Sequence, residues 1–585
     1  MAITFELLNG EKPEAGDFTA WVPGWWYHSA GLPLKTGELS GGYRWILAGW
    51  FLGEEKPSVV IGRFLKSGDA ETLFNADGQF ILAIYDGSRR SVQIYRDRAG
   101  MLPLVYGSGK KGFACSIWIE NVRSLAGIEG KASKEVLGEL PVYRITLPPA
   151  SIIDKVGSLS GECSLNIDDK GITLNEHPMF PSKDARYNTL KAASDYFGET
   201  LSEGVRKRID GLKDIGVWLS GGNDSSLLVA LLRKYFNGNI STIFVTFEDY
   251  DRDYRKYARE VASQFETDYS EVVVGVKDYL NLWAETIHII QEPINGPSTI
   301  GQVAALKQVS SSVEVLLHGD GADTIFGGPY WAPMLYMSYL GGILPRPLRR
   351  YLAQVSKNMR ATGFLSRAMA KSLKALGTSM REYIHSEIVF GVEEQIDDVF
   401  NRGTWRHSVD DFQRYIKSDP LNDMLLFLIL HWHSIWIGSF KRLGFYFDVP
   451  YMFPFMDYEL LKYSVKLPVH LRYHYATKKA PLMKYAEGYF DKSFIYKPKE
   501  GFGVPLQKWF SMTDSIPFLN LPLEERSLRR GWWKENELKK IIDLHKLGQG
   551  TDESAESIPW ITTNLELWAR ICLEGDSPDL YKIPS

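Results

Sequence analysis

The chain has 585 residues, 44% apolar and 24% charged, with a formal net charge of −4, which excludes a disordered or membrane-embedded protein and leaves no overall field to attract nucleic acid. That length exceeds one hydrophobic core and predicts two domains. The three cysteines, Cys115, Cys163 and Cys572, show neither zinc nor disulfide spacing, which predicts a reducing, cytoplasmic setting. The first ten residues carry Glu6 and no long apolar run, unlike a signal peptide. The most apolar internal run, residues 424–430, falls well short of the ~18 residues that span a bilayer and predicts a buried helix with no membrane partner.

From residue 43 to about 125 the pattern is β-rich. Residues 80–85 and 92–95 read as strands joined by a turn that opens with Asp86 and Gly87. Arg96-Asp97-Arg98-Ala99-Gly100-Met101-Leu102-Pro103-Leu104-Val105-Tyr106 follows, then a strand at 113–116. These stretches resemble the second half of a class II glutamine amidotransferase domain, whose nucleophile is a cysteine exposed once Met1 is removed. Here position 2 is Ala2, which has no group to attack an amide, so the resemblance implies a degenerate β-sandwich domain kept as scaffold or recognition surface. Cys115 lies in an alternating apolar strand and reads as a small buried residue rather than a replacement nucleophile. Residues 127–188, with Pro141, Pro148, Pro149, Pro178 and Pro181, read as mixed strand and loop running into a linker, so the first domain is expected over 1–185 and the second over 186–585.

Residues 187–208 read as a helix. Strands and helices then alternate: strand 215–219, a helix starting near Ser225, strand 240–247, helix 254–265, strand 269–274, helices 279–289 and 300–309, and strand 313–317. Alternation of this kind predicts a parallel sheet covered by helices, with ligands beyond the carboxyl ends of its strands. The first glycine turn, Ser220-Gly221-Gly222-Asn223-Asp224-Ser225-Ser226, lies at such an end. Gly221 and Gly222 let the backbone approach a phosphate, and Ser220, Ser225, Ser226 and the first helical N–H groups supply donors. Val245 and Phe247, at the end of the next strand, join the expected nucleotide-binding set. Asp224 would repel a phosphate unless a cation sat between them, which predicts Mg²⁺. The segment resembles the pyrophosphatase-type loop of enzymes that adenylate a substrate with ATP.

The second turn, Val315-Leu316-Leu317-His318-Gly319-Asp320-Gly321-Ala322-Asp323-Thr324-Ile325-Phe326-Gly327-Gly328, repeats strand, glycine and carboxylate. It resembles the corresponding motif of asparagine synthetases and their relatives, which implies that Gly319 and Gly321 line the nucleotide site and that Asp224 and Asp323 share the metal. His318, Asp320, Thr324 and Ile325 depart from that pattern. Asp320 falls where β-lactam synthetases carry a tyrosine of the base that serves the attacking amine, so the resemblance implies a catalytic base at Asp320. Phe453-Pro454-Phe455-Met456-Asp457, Glu292-Pro293 and the stretch from Tyr496 to Pro505 extend the match. The last of these implies that Lys499 stabilises the transition state of ring closure. Past Gly328 the chain reads as almost wholly helical. Between Thr324 and Arg381 it has nine basic residues and no acidic one, expected as a solvated helix face.

The reaction implied by the resemblance is attack of a substrate carboxylate on the α-phosphate of ATP, loss of pyrophosphate, and displacement of AMP by an amine. With Ala2 the amine is expected from the substrate itself, and intramolecular closure takes much of its rate from positioning. Relatives without the cysteine include β-lactam and carbapenam synthetases and lasso peptide cyclases. The chain's length and its many Trp and Tyr favour a precursor peptide closed by its N-terminal amine onto a side-chain carboxylate. That reading admits a leader-peptide-binding protein and a leader peptidase as partners. A small-molecule synthetase or amide ligase is the alternative enzyme, and a silent binding protein on the same fold the alternative of another class. Retention of Asp224, Asp323 and Lys499 argues against silence.

Overall fold

The computed structural model describes residues 3–13, 17–52, 55–177, 187–250, 254–327, 337–338, 340–359, 364–378, 393–401, 433–474, 477–498, 503–549 and 558–583. Two antiparallel six-stranded sheets come first. Their strands are β1 (Thr4–Gly10), β2 (Thr19–Val22), β3 (Trp25–Ala30), β4 (Leu34–Leu39), β5 (Tyr43–Phe51), β6 (Gly78–Asp86), β7 (Ser91–Arg96), β8 (Val105–Gly109), β9 (Gly112–Ser116), β10 (Val156–Ser158), β11 (Cys163–Asp168) and β12 (Gly171–Glu176). One sheet has the order β10-β8-β9-β1-β3-β2 and the other β12-β11-β7-β6-β5-β4.

The period-2 pattern decides how the sheets stack. Ile46 and Ala48 of β5 and Ile81 and Ala83 of β6 point into a shared core with Phe5 and Leu7 of β1 and Phe113 and Cys115 of β9. The alternate residues Trp45, Leu47, Leu82 and Ile84 pack with Val60, Ile61 and Phe64 of helix α1 (Pro57–Ser67). The sandwich begins at Thr4, well before residue 43. Strand β4 is largely exposed and mostly polar, so it lacks the apolar alternation that would announce it, and β2 is only four residues long at the sheet's edge, too short for a pattern. The mixed stretch after residue 127 also holds a helix, α2 (Lys134–Tyr143), capped by the Ser133 hydroxyl.

The second unit carries the parallel sheet. Its strands are β13 (Asp214–Trp218), β14 (Asn239–Phe247), β15 (Asp268–Val274), β16 (Val315–Leu317) and β17 (Tyr451–Met452), in the order β15-β14-β13-β16-β17 with every pair parallel. Helices α3 (Leu190–Ile209), α4 (Asn223–Tyr235), α5 (Arg255–Gln264), α6 (Val276–Ile290) and α7 (Thr299–Val309) fall within a few residues of the sequence reading. Strand β17 does not announce itself, because two residues are too few for a pattern; it joins through Leu316 and Leu317 and delivers the 453–457 motif. The expected helix at 424–430 lies outside the described residues. None of the helices among those described is long and apolar enough to cross a membrane.

The tryptophan content is largely a property of the core. Trp283, Trp509, Trp560 and Trp568 are fully buried, and Trp283 stacks on Trp560 at 5.9 Å and on Phe518 at 6.2 Å. Abundant aromatic residues therefore carry no weight as a sign of a peptide substrate.

Buried charge ties the two units together. Helix α8 (Ser434–Tyr446) sends Lys441 to the Gln79 side chain of β6 and the Tyr451 carbonyl of β17. Its neighbour Arg442 donates to Ile117 O at 3.0 Å and pairs with Glu292. Arg208 of α3 pairs with Asp457 at 2.9 Å and reaches Asp77 of the sandwich unit at 3.7 Å.

Burial pulls the Lys441 ammonium down to about 7 from an ordinary 10.5, with the Asp97 carboxylate only partly opposing it. The unfolded chain thus holds more protons than the folded one across that window, and stability should rise with pH from about 7 toward 10.5. Lys441→Met should abolish that rise, measured as urea midpoints at pH 6.5 and 9.5; an unchanged pH slope in the variant would show that Lys441 is not the titrating group.

Candidate active site

The carboxyl edge of β13 opens into the first glycine turn. Gly221 has φ +74°, and a Cβ there would lie 2.7 Å from Tyr254 O and 3.0 Å from Ala258 N, so both conformation and space require glycine. Gly222 caps α4, whose first helical hydrogen bond runs from Ser226 N to Gly222 O, leaving the preceding N–H groups to the turn's mouth. Ser220 N donates to Ser225 Oγ at 3.1 Å, and Gly222 N donates to Ser220 Oγ at 3.3 Å, so these two hydroxyls shape the loop from within. Ser226 is fully buried, and its hydroxyl has no hydrogen-bond partner among the described residues.

The second turn leaves β16 and meets the first backbone to backbone. A Cβ on Gly319 would lie 3.2 Å from Ser225 N. Gly321, at φ +99°, passes over Phe455 and Met456, where a Cβ would come within 2.9 Å of the Met456 side chain. The 453–457 motif is therefore the floor of the second turn.

This contact brings Asp224 and Asp323, which the sequence reading assigned to a shared Mg²⁺, to one lysine that it did not name. Lys479 Nζ lies 2.7 Å from Asp224 Oδ2 and 2.6 Å from Asp323 Oδ1. Burial would lower the lysine's affinity for its proton, but attraction to Asp224 and then Asp323 outweighs it and raises the pKa. Lys479 is the residue before helix α9 (Ala480–Ala486) and sits in the left-handed region at φ +51°. A strained backbone and a cation at a helix N-terminus, against its dipole, are both costs, of the kind found where a site requires them. That reversed charge in Lys478-Lys479-Ala480-Pro481 was the available sequence signal.

Asp224 Oδ1 is buried without a hydrogen-bond partner among the described residues. A free carboxylate oxygen beside a helix N-terminus and a second carboxylate fits a magnesium-bound nucleotide, because Mg²⁺ is commonly held by one or two carboxylates together with substrate phosphates. Asp224 and Asp323 are the residues that would hold it.

A second cation, Lys497, lies beside the first turn, with Nζ 3.4 Å from Asn223 Oδ1, 3.0 Å from Phe494 O and 3.3 Å from the centre of the Phe494 ring. Burial draws its pKa down to about 8, with Glu260 and Asp224 in partial opposition. Lys499, two residues on, lies outside the described residues. The stretch before it is fastened, since Tyr254 OH donates to Pro498 O at 2.7 Å.

Asp320 projects from the second turn beside His318. The Asp320 N–H donates to His318 Nδ1 at 3.2 Å, and the ring is packed against Phe440 and Phe453. Burial lowers the His318 pKa, which favours the neutral imidazole that this hydrogen bond requires. Val245 and Phe247 lie at the carboxyl end of β14 and pack on Gly301 of α7; the Phe247 ring also meets Tyr279 and Trp509 edge-on.

A parallel sheet whose carboxyl edge joins a glycine-capped helix, two carboxylates and a buried lysine forms the candidate active site of the α/β unit. The family model described as asparagine synthase matches residues 197–570, and that described as a glutamine amidotransferase domain matches residues 50–178. The chain belongs to the asparagine synthase family. It is similar to asparagine synthetase 1, glutamine-hydrolysing, of Bacillus subtilis strain 168, at 24% identity over 74% of this chain and 68% of that protein. It is equally similar, at 24% over 75% and 69%, to a Mycobacterium tuberculosis H37Rv protein named provisionally as a glutamine-hydrolysing asparagine synthetase. Asparagine synthetase 3 of B. subtilis matches at 19% over 85% of this chain and 80% of its own.

Replacing Lys479 by Met leaves Asp224 and Asp323 facing each other without their cation. Nucleotide-dependent pyrophosphate exchange should fall roughly 100-fold or more, the scale of losing one preorganised charge contact in such a site. Circular dichroism should report an unchanged fold; exchange at the unmodified rate would remove Lys479 from the machinery.

Proposed function

We propose that the chain is an ATP-dependent amide-bond-forming cyclase that joins an amine of a peptide substrate to a side-chain carboxylate of the same molecule, without glutamine. The observation that carries the ligase reading is the meeting of Asp224, Asp323 and Lys479 where the two glycine turns touch. Family membership supports the same class of reaction.

In this reading magnesium ATP, when bound, supplies the activated phosphoanhydride and the charge that makes pyrophosphate a good leaving group. The α4 N-terminus, with its unused N–H groups, binds phosphate oxygens. Lys479 fixes the distance between the two carboxylates and holds positive charge where pyrophosphate charge accumulates. The substrate carboxylate displaces pyrophosphate from the α-phosphorus, giving an acyl-adenylate. The amine then attacks the acyl carbon, the acyl–oxygen bond to AMP breaks, and the ammonium proton passes to Asp320. Neutral His318 holds the Asp320 backbone through its N–H and adds no positive charge that would weaken the carboxylate as a base. Lys499, by the resemblance of its segment, stabilises charge in that second step.

Independence from glutamine is supported by the cysteines. Cys115 is fully buried between the two sheets, and burial pushes its thiol well above the usual range; Cys163 is buried beside the Ser160 hydroxyl, and burial raises Cys572 as well. Cys115 and Cys572 lack the lowered pKa of a nucleophile, and the buried Cys163 lacks the access. The sandwich then acts as a platform, to which Lys441, Arg442 and Arg208 bind the synthetase unit. Precursor peptide, leader-peptide-binding protein and leader peptidase belong to this proposal as substrate and partners.

The test is pyrophosphate release by the full chain with ATP, Mg²⁺ and peptides bearing a free N-terminus and an Asp or Glu, with product followed by mass. Loss of one water and formation of AMP are expected, with no response to added glutamine. Lys499→Met should retain most of the ATP/pyrophosphate exchange yet lose at least about tenfold in cyclised product, within the range of a positioned charge acting only in the second step. Glutamine hydrolysis by the chain, or cyclisation at full rate by Lys499→Met, would refute the respective assignment.

A further inference from the structure

Between α6 and α7 runs a loop, residues 291–298, that is held from almost every side. Gln291 O accepts from Trp568 Nε1 at 3.3 Å, Glu292 pairs with Arg442, and the Asn564 side chain takes both Ile294 N, at 3.3 Å, and Ile294 O, at 2.9 Å. Thr299 N closes the loop onto Gly296 O at 3.1 Å. In the middle of this fastened segment, Asn295 is 2% exposed, and neither its Nδ2 nor its Oδ1 has a hydrogen-bond partner among the described residues. A buried carboxamide with all of its hydrogen-bonding capacity unused is a rare feature that calls for a partner.

The loop's position supplies one. Gly301, two residues after α7 begins, packs on Val245 and Phe247 at the carboxyl end of β14, which puts residues 291–298 on the same edge of the sheet as both glycine turns. A Cβ on Gly296 would lie 3.2 Å from the Trp436 ring in the first turn of α8. His433, the residue before that helix, shares a hydrogen bond between its Nδ1 and Thr324 Oγ1 of the second turn at 3.1 Å, while its Nε2 is buried without a partner among the described residues. Two unsatisfied polar groups thus border the start of α8, beside the loop that bears Asp320 and Asp323.

The chemistry of a carboxamide narrows what its partner would be. It offers two donors and an acceptor in one plane. A carboxylate ligand would satisfy the donors and turn an anion toward Oδ1; an ammonium would do the reverse. A peptide group meets both at once, accepting from Nδ2 and donating to Oδ1. We propose that Asn295 is the specificity-determining residue of a substrate subsite that reads a peptide group next to the carboxylate to be activated, with His433 Nε2 as its second polar contact. The proposal rests on the ligase reading above and narrows the substrate class from any carboxylic acid to a peptide.

The experiment uses the full chain and two probes, the blocked tripeptide acetyl-Gly-Asp-Gly-amide and free L-aspartate, titrated calorimetrically with and without Mg²⁺ and a non-hydrolysable ATP analogue. The tripeptide is expected to bind at least about tenfold more tightly than aspartate, and Asn295→Leu should bring that ratio to near one while leaving affinity for the ATP analogue unchanged. Asn295→Asp, which keeps the shape and loses the donors, should also lose the preference. Without ligand, Asn295→Leu should melt at or above the unmodified temperature, because it removes unpaired polar atoms from the interior. No tripeptide preference in the unmodified chain, an undiminished preference in Asn295→Leu, or a lowered melting temperature marking Asn295 as structural would each overturn the proposal. Failure of the ATP analogue to bind would instead count against the ligase reading, and the titrations without nucleotide would still decide the role of Asn295.

Discussion

Two carboxylates drawn to one point repel unless a cation stands between them, and here that cation is the buried Lys479. Asp224 comes from the turn after β13 and Asp323 from the turn after β16, nearly 100 residues apart, and both lie within 2.7 Å of one ammonium. For that to happen the turns must abut with no side chain between them. Gly319 against Ser225 and Gly321 over Met456 meet the requirement. The parallel pairing of β13 with β16 sets the two strand ends level. Lys479 accepts a left-handed backbone to reach the point where they converge.

Charge burial also explains how a sandwich unit and a synthetase unit form one molecule. Ion pairs of this sort contribute little net stability compared with apolar packing, yet losing one partner leaves a desolvated charge and is costly. Arg208 between Asp457 and Asp77 links the floor of the second turn to the sandwich. Asp457 additionally caps the helix that follows it by accepting from Glu459 N at 3.0 Å. The Arg96-Asp97 stretch has a structural explanation of the same kind: Asp97 is buried and accepts the Met101 and Leu102 N–H groups, while Arg96 holds the Gly100 and Leu159 carbonyls. A segment that resembles part of a glutamine-hydrolysing domain here shapes a turn.

The motifs were legible because their chemistry is local. Ser220 through Ser226 announces a glycine-capped helix, and the alternation around it announces a parallel sheet, since both follow from residues near in sequence. Strand β4 was illegible because an exposed sheet edge needs no apolar pattern, and β2 and β17 because they are too short to carry one. Aromatic abundance is uninformative for a related reason: composition does not distinguish a tryptophan in a pocket from Trp283 stacked on Phe518 and Trp560.

By itself, then, the sequence determined the family, the class of fold and the two acidic turns, all of which depend on short-range pattern and on residue types with few alternative uses. Tertiary structure alone decided which cation the acids meet, which hydroxyls turn inward and which polar groups are left unpaired. Lys479, 255 residues from Asp224, stood in the sequence as one lysine of a Lys-Lys pair. Asn295 stood there as an unremarked residue two positions after the Glu292-Pro293 match. A lysine becomes a counter-ion, and an asparagine a recognition element, only when folding removes water and sets distance, and neither quantity is written along the chain.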